Sequence, residues 1–301
     1  MKGKGDTMGI LTNFKAQKAY NLQAKGNTAQ AEALYREVMA EGLDQPRYLL
    51  GYSVLLLREG KYQEAREVLV KTQKAPGLSQ DQRSQMLMNY AAAVFRLGEI
   101  DKGINVLERQ HLHAPSGRMY QTLGYLYVEK YSLDNRPDFD ALEAAEQAKA
   151  EAAAEADAAD AQEADANEEA AAQDEAAAEA ETEQSLSARE KWEKDIEKAK
   201  AFIEESIEYD EEDPICLDNM GQFLYRVLGD REGAKAWFDK AVALKDDQMD
   251  TNWFLSRYDL EKGDTAKALE RLEKIRSNRF SPLNYVTPEM VDKEIERIKA
   301  M

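Results

Sequence analysis

The feature that most constrains this chain is an interval. Gly26 and Ala31, in AKGNTAQAEALY, return 34 residues later as Gly60 and Ala65, in REGKYQEAREVL. Towards the other end Gly229 and Ala234 return as Gly263 and Ala268, again after 34 residues. Gly98 follows Gly60 by 38 residues, one period plus four. Two independent pairs with one period are the mark of a repeat architecture.

Each unit has the same physics. An apolar segment with helical spacing precedes the glycine; in the second unit Leu49, Tyr52, Leu56 and Leu57 share one broad face. The glycine stands where a helix must stop and reverse. A second amphipathic segment follows, with an alanine towards its partner and a larger residue four positions on: Tyr35, Leu69 or Phe238. Neither helix buries its stripe alone, so units must stack into a continuous core. The expected fold is all-α, a helical-repeat solenoid of stacked antiparallel helix pairs.

These residues resemble the tetratricopeptide repeat. LGYLY (Leu123, Gly124, Tyr127) and MGQFL (Gly221, Leu224) match that family's first-helix core, and Pro46, Pro115 and Pro214 fall near unit borders. The first-helix tryptophan of the family is replaced by Lys15, Leu49, Leu87, Tyr120 or Leu217, and Gly103 stands where an alanine is usual. Repeats are expected at 12–45, 46–79, 84–116, 117–213 (interrupted), 214–247 and 249–280. A flexible N-terminus is expected over 1–11. The repeats then divide into 12–133 and 189–280, around an insertion at 134–188. At 281–301, Thr287 as N-cap, Pro288 in the first turn and the stripe Val291, Ile295, Ile298 predict a capping helix.

The insertion is acidic, low in complexity and rich in Ala and Glu. Between Asp134 and Gln184 stand 18 acidic and two basic residues, so 16 of the chain's 18 net negative charges lie there. Alanine favours helix, but like charges at i,i+4, such as Glu151 and Glu155, oppose it. A disordered or partly helical exposed tract is expected. Two placements of the second helix of repeat 4 follow. EKAKAFIEESIEY, with Ala199 and Ile203, is preferred because it leads into the next repeat; alternatively DFDALEAAEQAKA supplies it and the later segment is an extra helix.

Chemistry is sparse in this sequence. His111 and His113, the two histidines, diverge by about 200° on a helix and share no metal. Cys216 is the single cysteine, which fits a reducing compartment, and is expected to be a packed thiol. No phosphate loop, dinucleotide fingerprint, zinc spacing or calcium loop occurs. The expectations are therefore no enzyme activity, no catalytic residue, no metal and no cofactor. Without a leader-like start, a membrane-length apolar run or a basic field, the protein is expected to be cytoplasmic, binding neither membrane nor nucleic acid.

What remains is a surface. In the tetratricopeptide family, set first-helix positions line a concave groove that takes peptides or partner helices. By register the resemblance implies Arg47 and Arg58 in repeat 2, Asn89 and Arg96 in repeat 3, and Arg118 and Tyr125 in repeat 4. Asn219, Tyr225 and Arg226 follow in repeat 5, and Trp253 and Arg257 in repeat 6. The family's carboxylate-clamp positions are here Ala16, Tyr20, Gly51, Gln85 and Asn89, which do not match that clamp. The function expected is a protein-interaction scaffold or adaptor with a protein or peptide partner. The alternative is a self-regulated or polyanion-mimicking protein whose acidic tract is the active element, competing for the groove's arginines.

Overall fold

The period glycines end helices for the reason their spacing suggested. Gly26, Gly60, Gly98, Gly229 and Gly263 have φ of 81°, 71°, 80°, 70° and 78°, the left-handed region that a Cβ disfavours. At Gly60 its own amide donates to the Leu57 carbonyl and the Lys61 amide donates to Leu56, so orphan helix-end carbonyls are satisfied. Gly26, Gly98 and Gly263 repeat this pair of bonds.

The computed structural model describes residues 3–145, 147–149, 186–278 and 280–301, with side chains from Leu11 onward. Repeat 1 is α1 (Gly3–Ala24) and α2 (Thr28–Ala40), and repeat 2 is α3 (Pro46–Arg58) and α4 (Tyr62–Gln73). Repeat 3 is α5 (Gln80–Arg96) and α6 (Ile100–His113), and repeat 4 is α7 (Gly117–Tyr131) and α8 (Ala188–Tyr209). Repeat 5 is α9 (Pro214–Gln222), continued by a π-helical turn, Phe223–Val227, and α10 (Arg231–Leu244). Repeat 6 is α11 (Met249–Glu261) and α12 (Thr265–Arg276), followed by α13 (Pro288–Lys299). Each pair packs on itself and on its neighbours, and no strand occurs among the described residues. The chain is an all-α helical-repeat solenoid.

The second-helix alanines Ala31, Ala65, Ala199, Ala234 and Ala268 are sealed from solvent. Four residues on, so are Tyr35, Leu69, Ile203, Phe238 and Leu272. In repeat 3 the alanine is Gly103, where an added Cβ would lie 3.2 Å from the Ala91 carbonyl oxygen. A side chain at this position would crowd the α5 backbone.

Two local departures from the sequence reading have plain causes. The four extra residues of repeat 3 become one more turn of α5, which starts at Gln80 rather than 84 and is closed by a Ser79–Gln82 capping box. Repeat 5 carries one extra residue between Leu217 and its turn glycine. It is absorbed in the π turn, where the Leu228 amide reaches Phe223 and the Asp230 amide reaches Leu224. At the other end α1 already begins at Gly3, inside the stretch expected to be flexible.

In repeat 4, α7 pairs with α8, around the buried Ala199 and Ile203. The packed chain continues past Tyr131 to Phe139, which is buried against the Trp192 ring at 6.0 Å. The acidic tract between residues 150 and 185 lies outside the described residues. At the C-terminus the Thr287 hydroxyl accepts the Met290 amide, and Val291, Ile295 and Ile298 of α13 pack into the last core cluster.

Gly221 tests this packing. Its Cβ, if present, would stand 2.6 Å from the Phe238 ring, itself fully buried and stacked 5.0 Å from Phe254. Removing a helical glycine gains about 1 kcal/mol in propensity, whereas overpacking a rigid core costs about 1–3 kcal/mol. Gly221→Ala is expected to lower the melting temperature by a few degrees; an unchanged or raised value would show that the ring gives way.

Candidate functional site

The concave face is built by the first helices, and its two halves differ. Over repeats 1 to 3 no described residue covers it. A cavity of about 330 Å³ is lined by Tyr20, Gln23, Arg47, Leu50, Val54 and Arg58, with Gln82 and Gln85 from α5. Its floor is Gly51, where a Cβ would meet the Tyr20 ring and the Tyr35 hydroxyl at 2.9 Å. Gln23 is held in place: its amide donates to the Gly51 carbonyl at 2.9 Å, and it accepts the Tyr35 hydroxyl at 3.1 Å. The Arg47 guanidinium lies 4.9 Å from the Tyr20 ring. Two basic groups and no carboxylate of the described residues line this cavity.

Over repeats 3 to 6 the face is covered by the chain itself. The connector between α12 and α13 runs into the groove as a strap. Arg96, on α5, donates to the carbonyls of Pro282 at 2.7 Å and Asn284 at 2.8 Å. The buried carboxylate of Asp250, on α11, accepts the amides of Tyr285 and Val286, both at 3.0 Å, and the Asn284 side chain at 3.3 Å. The Arg226 guanidinium lies 3.8 Å from the centre of the Tyr285 ring. Val286 is fully buried.

The expected groove residues divide along that line. Arg47 and Arg58 border the open cavity. Asn89 donates to the Ser53 hydroxyl at 3.4 Å, between the halves. Arg118 is exposed. Arg96 holds the strap, and Tyr125 is buried edge-on against Phe95. Asn219 is buried and donates to the Gln121 carbonyl at 3.0 Å. Arg226 is buried and donates to Glu129 at 2.6 Å. Trp253 is buried under Arg257, which pairs with Glu294 of α13. Tyr225 packs instead among Phe238, Phe254 and Tyr258, where the π turn directs it.

The register did not point to Asp250, Asn284 or Tyr285. The connector 277–287 did carry a signal: it is twice as long as the α2–α3 connection and holds Phe280, Leu283, Tyr285 and Val286.

The electrostatics under the strap are unusual. Asp218 and Asp250, on neighbouring first helices, are both buried. Asp218 accepts from the Thr251 hydroxyl at 2.5 Å and the Gln222 amide at 2.7 Å. Burial first, and the nearby Asp250 second, push the Asp218 carboxyl up to about 7. Burial also raises Asp250, against the amides that hold its charged form. Elsewhere the single thiol is buried, and burial pushes Cys216 up to about 12, leaving it unreactive. His111 lies in the last turn of α6 with its ring against Tyr120 and Phe202. The arrangement is suited to holding a polypeptide backbone.

Known structures share this architecture. TTC0263, a tetratricopeptide repeat protein of Thermus thermophilus, superposes with a TM-score of 0.54 at 15% identity, over 85% of this chain and 100% of its own. PilW, a type IV pilus biogenesis factor, does so with a TM-score of 0.53 at 12% identity, over 95% and 98%. A monomeric mutant of IFIT1 with Gppp-AAAA gives 0.54 at 15% identity, over 95% of this chain and 53% of that one. No family model matches the sequence, and no curated protein does. At these identities the likeness is one of fold, and the fold is the tetratricopeptide-repeat solenoid.

The raised Asp218 carboxyl makes stability depend on pH. Its unfolded value is 3.8 and its folded value about 7, so the folded chain keeps a proton that the unfolded chain releases between them. Stability is lost as pH rises through that window and is level above it. Asp218→Asn still accepts the Thr251 hydroxyl and carries no charge. Thermal melts should show the variant gaining on the wild type by a few degrees between pH 4 and pH 8. A difference that is the same at both pH values would show that Asp218 is ionised throughout.

Proposed function

We propose that this solenoid is a non-enzymatic interaction scaffold, a cytoplasmic adaptor whose open half-groove over repeats 1 to 3 takes an extended segment of a protein partner. The observation that carries the reading is the contrast between halves. The same concave surface is crossed by the connector backbone over repeats 3 to 6 and uncovered by described residues over repeats 1 to 3, where Arg47 and Arg58 flank Leu50 and Val54. Apolar side chains rimmed by arginines suit a partner with an apolar anchor and acidic or carbonyl-rich flanks. A protein partner is favoured over nucleic acid because the chain outside the acidic tract carries a net charge near −2. The single buried thiol supports the cytoplasmic setting. Among the described residues no helix is long and apolar enough to cross a membrane.

A photo-crosslinking residue at Val54, in the groove, is compared with one at the exposed Gln63 of α4 in extracts of the source cell. Val54 is expected to give a discrete adduct that Gln63 does not. Arg47→Glu with Arg58→Glu should weaken capture about tenfold or more. Equal labelling at both positions would overturn the reading. Repeating the capture with residues 140–187 deleted separates the alternative, since loss of the adduct would make the acidic tract the active element.

A further inference from the structure

The strap is held largely through groups that every polypeptide has. Arg96 takes two carbonyls two residues apart, those of Pro282 and Asn284, and Asp250 takes two consecutive amides, those of Tyr285 and Val286. Side chains add to this grip: the Phe280 ring lies 5.5 Å from the Arg96 guanidinium, and the Asn284 side chain donates to Asp250. Tyr285 lies on Arg226 and stacks on Phe254 at 5.6 Å, and Val286 is in the core. Although α12 and α13 pack directly on each other, the connector between them reaches Arg96 on α5, in repeat 3.

Beside the strap the groove is not full. A cavity of about 480 Å³ opens between it and the helices, lined by Gln121, Tyr125, Asn219, Asp250, Leu283 and Asn284 among others. A backbone clasp with room beside it is a site for a peptide.

We propose that the groove of repeats 3 to 6 is a second peptide site, filled in this chain by its own residues 281–286. It admits in their place an extended partner segment that presents an aromatic and then an aliphatic residue. Main-chain recognition of an extended segment with one or two pockets for side chains is a known way to bind peptides. The strap is tethered, so it competes at an effective concentration of order millimolar. A partner enters when it fills the flanking cavity as well, which the strap does not. The site is separate from the open half-groove, and failure of either reading leaves the other standing.

The probe is a fluorescent peptide of this chain's residues 280–286, FSPLNYV, added to the full-length protein. Tyr285→Ala weakens the tethered strap and leaves the receptor side intact. Anisotropy should show the variant binding the peptide about tenfold tighter than the wild type. Arg96→Ala also loosens the strap but removes the receptor, and should give no gain. Binding by neither variant, or equally by both, would reduce the strap to a brace. In the wild type, hydrogen exchange provides a reading that survives a poorly folded variant. Millimolar peptide should speed exchange at the Tyr285 and Val286 amides, and unchanged protection there would overturn the proposal.

Discussion

How closely two helices can lie governs both the stack and the groove. Within a repeat the approach is set by Ala31, Ala65, Gly103, Ala199, Ala234 or Ala268, with one large side chain a turn later to close the gap. Between repeats, small first-helix residues do the same. Gly51 lies under the Tyr20 ring of repeat 1, and Gly124 would place a Cβ 2.9 Å from the Asn219 side chain of repeat 5. Those two contacts are the groove floor. A larger residue at either position would lift the next helix and change the width of the surface offered to a ligand, so site geometry and core packing are one constraint.

The architecture was legible because its causes are local. Turn glycines, small residues and apolar stripes recur at fixed offsets, and each acts within its own hairpin. The groove was half legible. Register placed Arg47 and Arg58 on the open surface, but it also placed Tyr225 there, because a single added residue before Gly229 does not disturb the Gly229–Gly263 interval. The π turn it produces shows only in backbone bonds. The strap was illegible for a different reason. Its partners Arg96 and Asp250 lie 186 and 34 residues or more away, on helices whose own pattern gives no hint of a visitor. An overlong connector carrying Phe280, Leu283 and Tyr285 was the available clue.

Charge under the strap explains why it is held as it is. Asp218, Asp250 and Glu129 gather around one buried arginine, Arg226. Arg226 is paired by Glu129, which leaves the two aspartates to find neutral donors. Asp218 takes a hydroxyl and a side-chain amide; Asp250 takes the strap. Three of the arginines that register assigned to the groove, Arg96, Arg226 and Arg257, are already engaged by groups within the solenoid. Of the others, Arg47 and Arg58 line the open cavity and Arg118 is exposed.

The interrupted hairpin of repeat 4 is closed at its base. Asp140 and Arg189, 49 residues apart in sequence, meet at 3.0 Å, and the Arg189 guanidinium lies 5.1 Å from the ring of the buried Phe139. With that clip in place, a flexible segment joining the arms bears on the hairpin through loop-closure entropy. Doubling the length of such a flexible segment costs about 0.6 kcal/mol. The base of repeat 4 is therefore a port in the solenoid, where loop-closure entropy sets only a small cost on lengthening, shortening or exchanging the sequence that joins the arms.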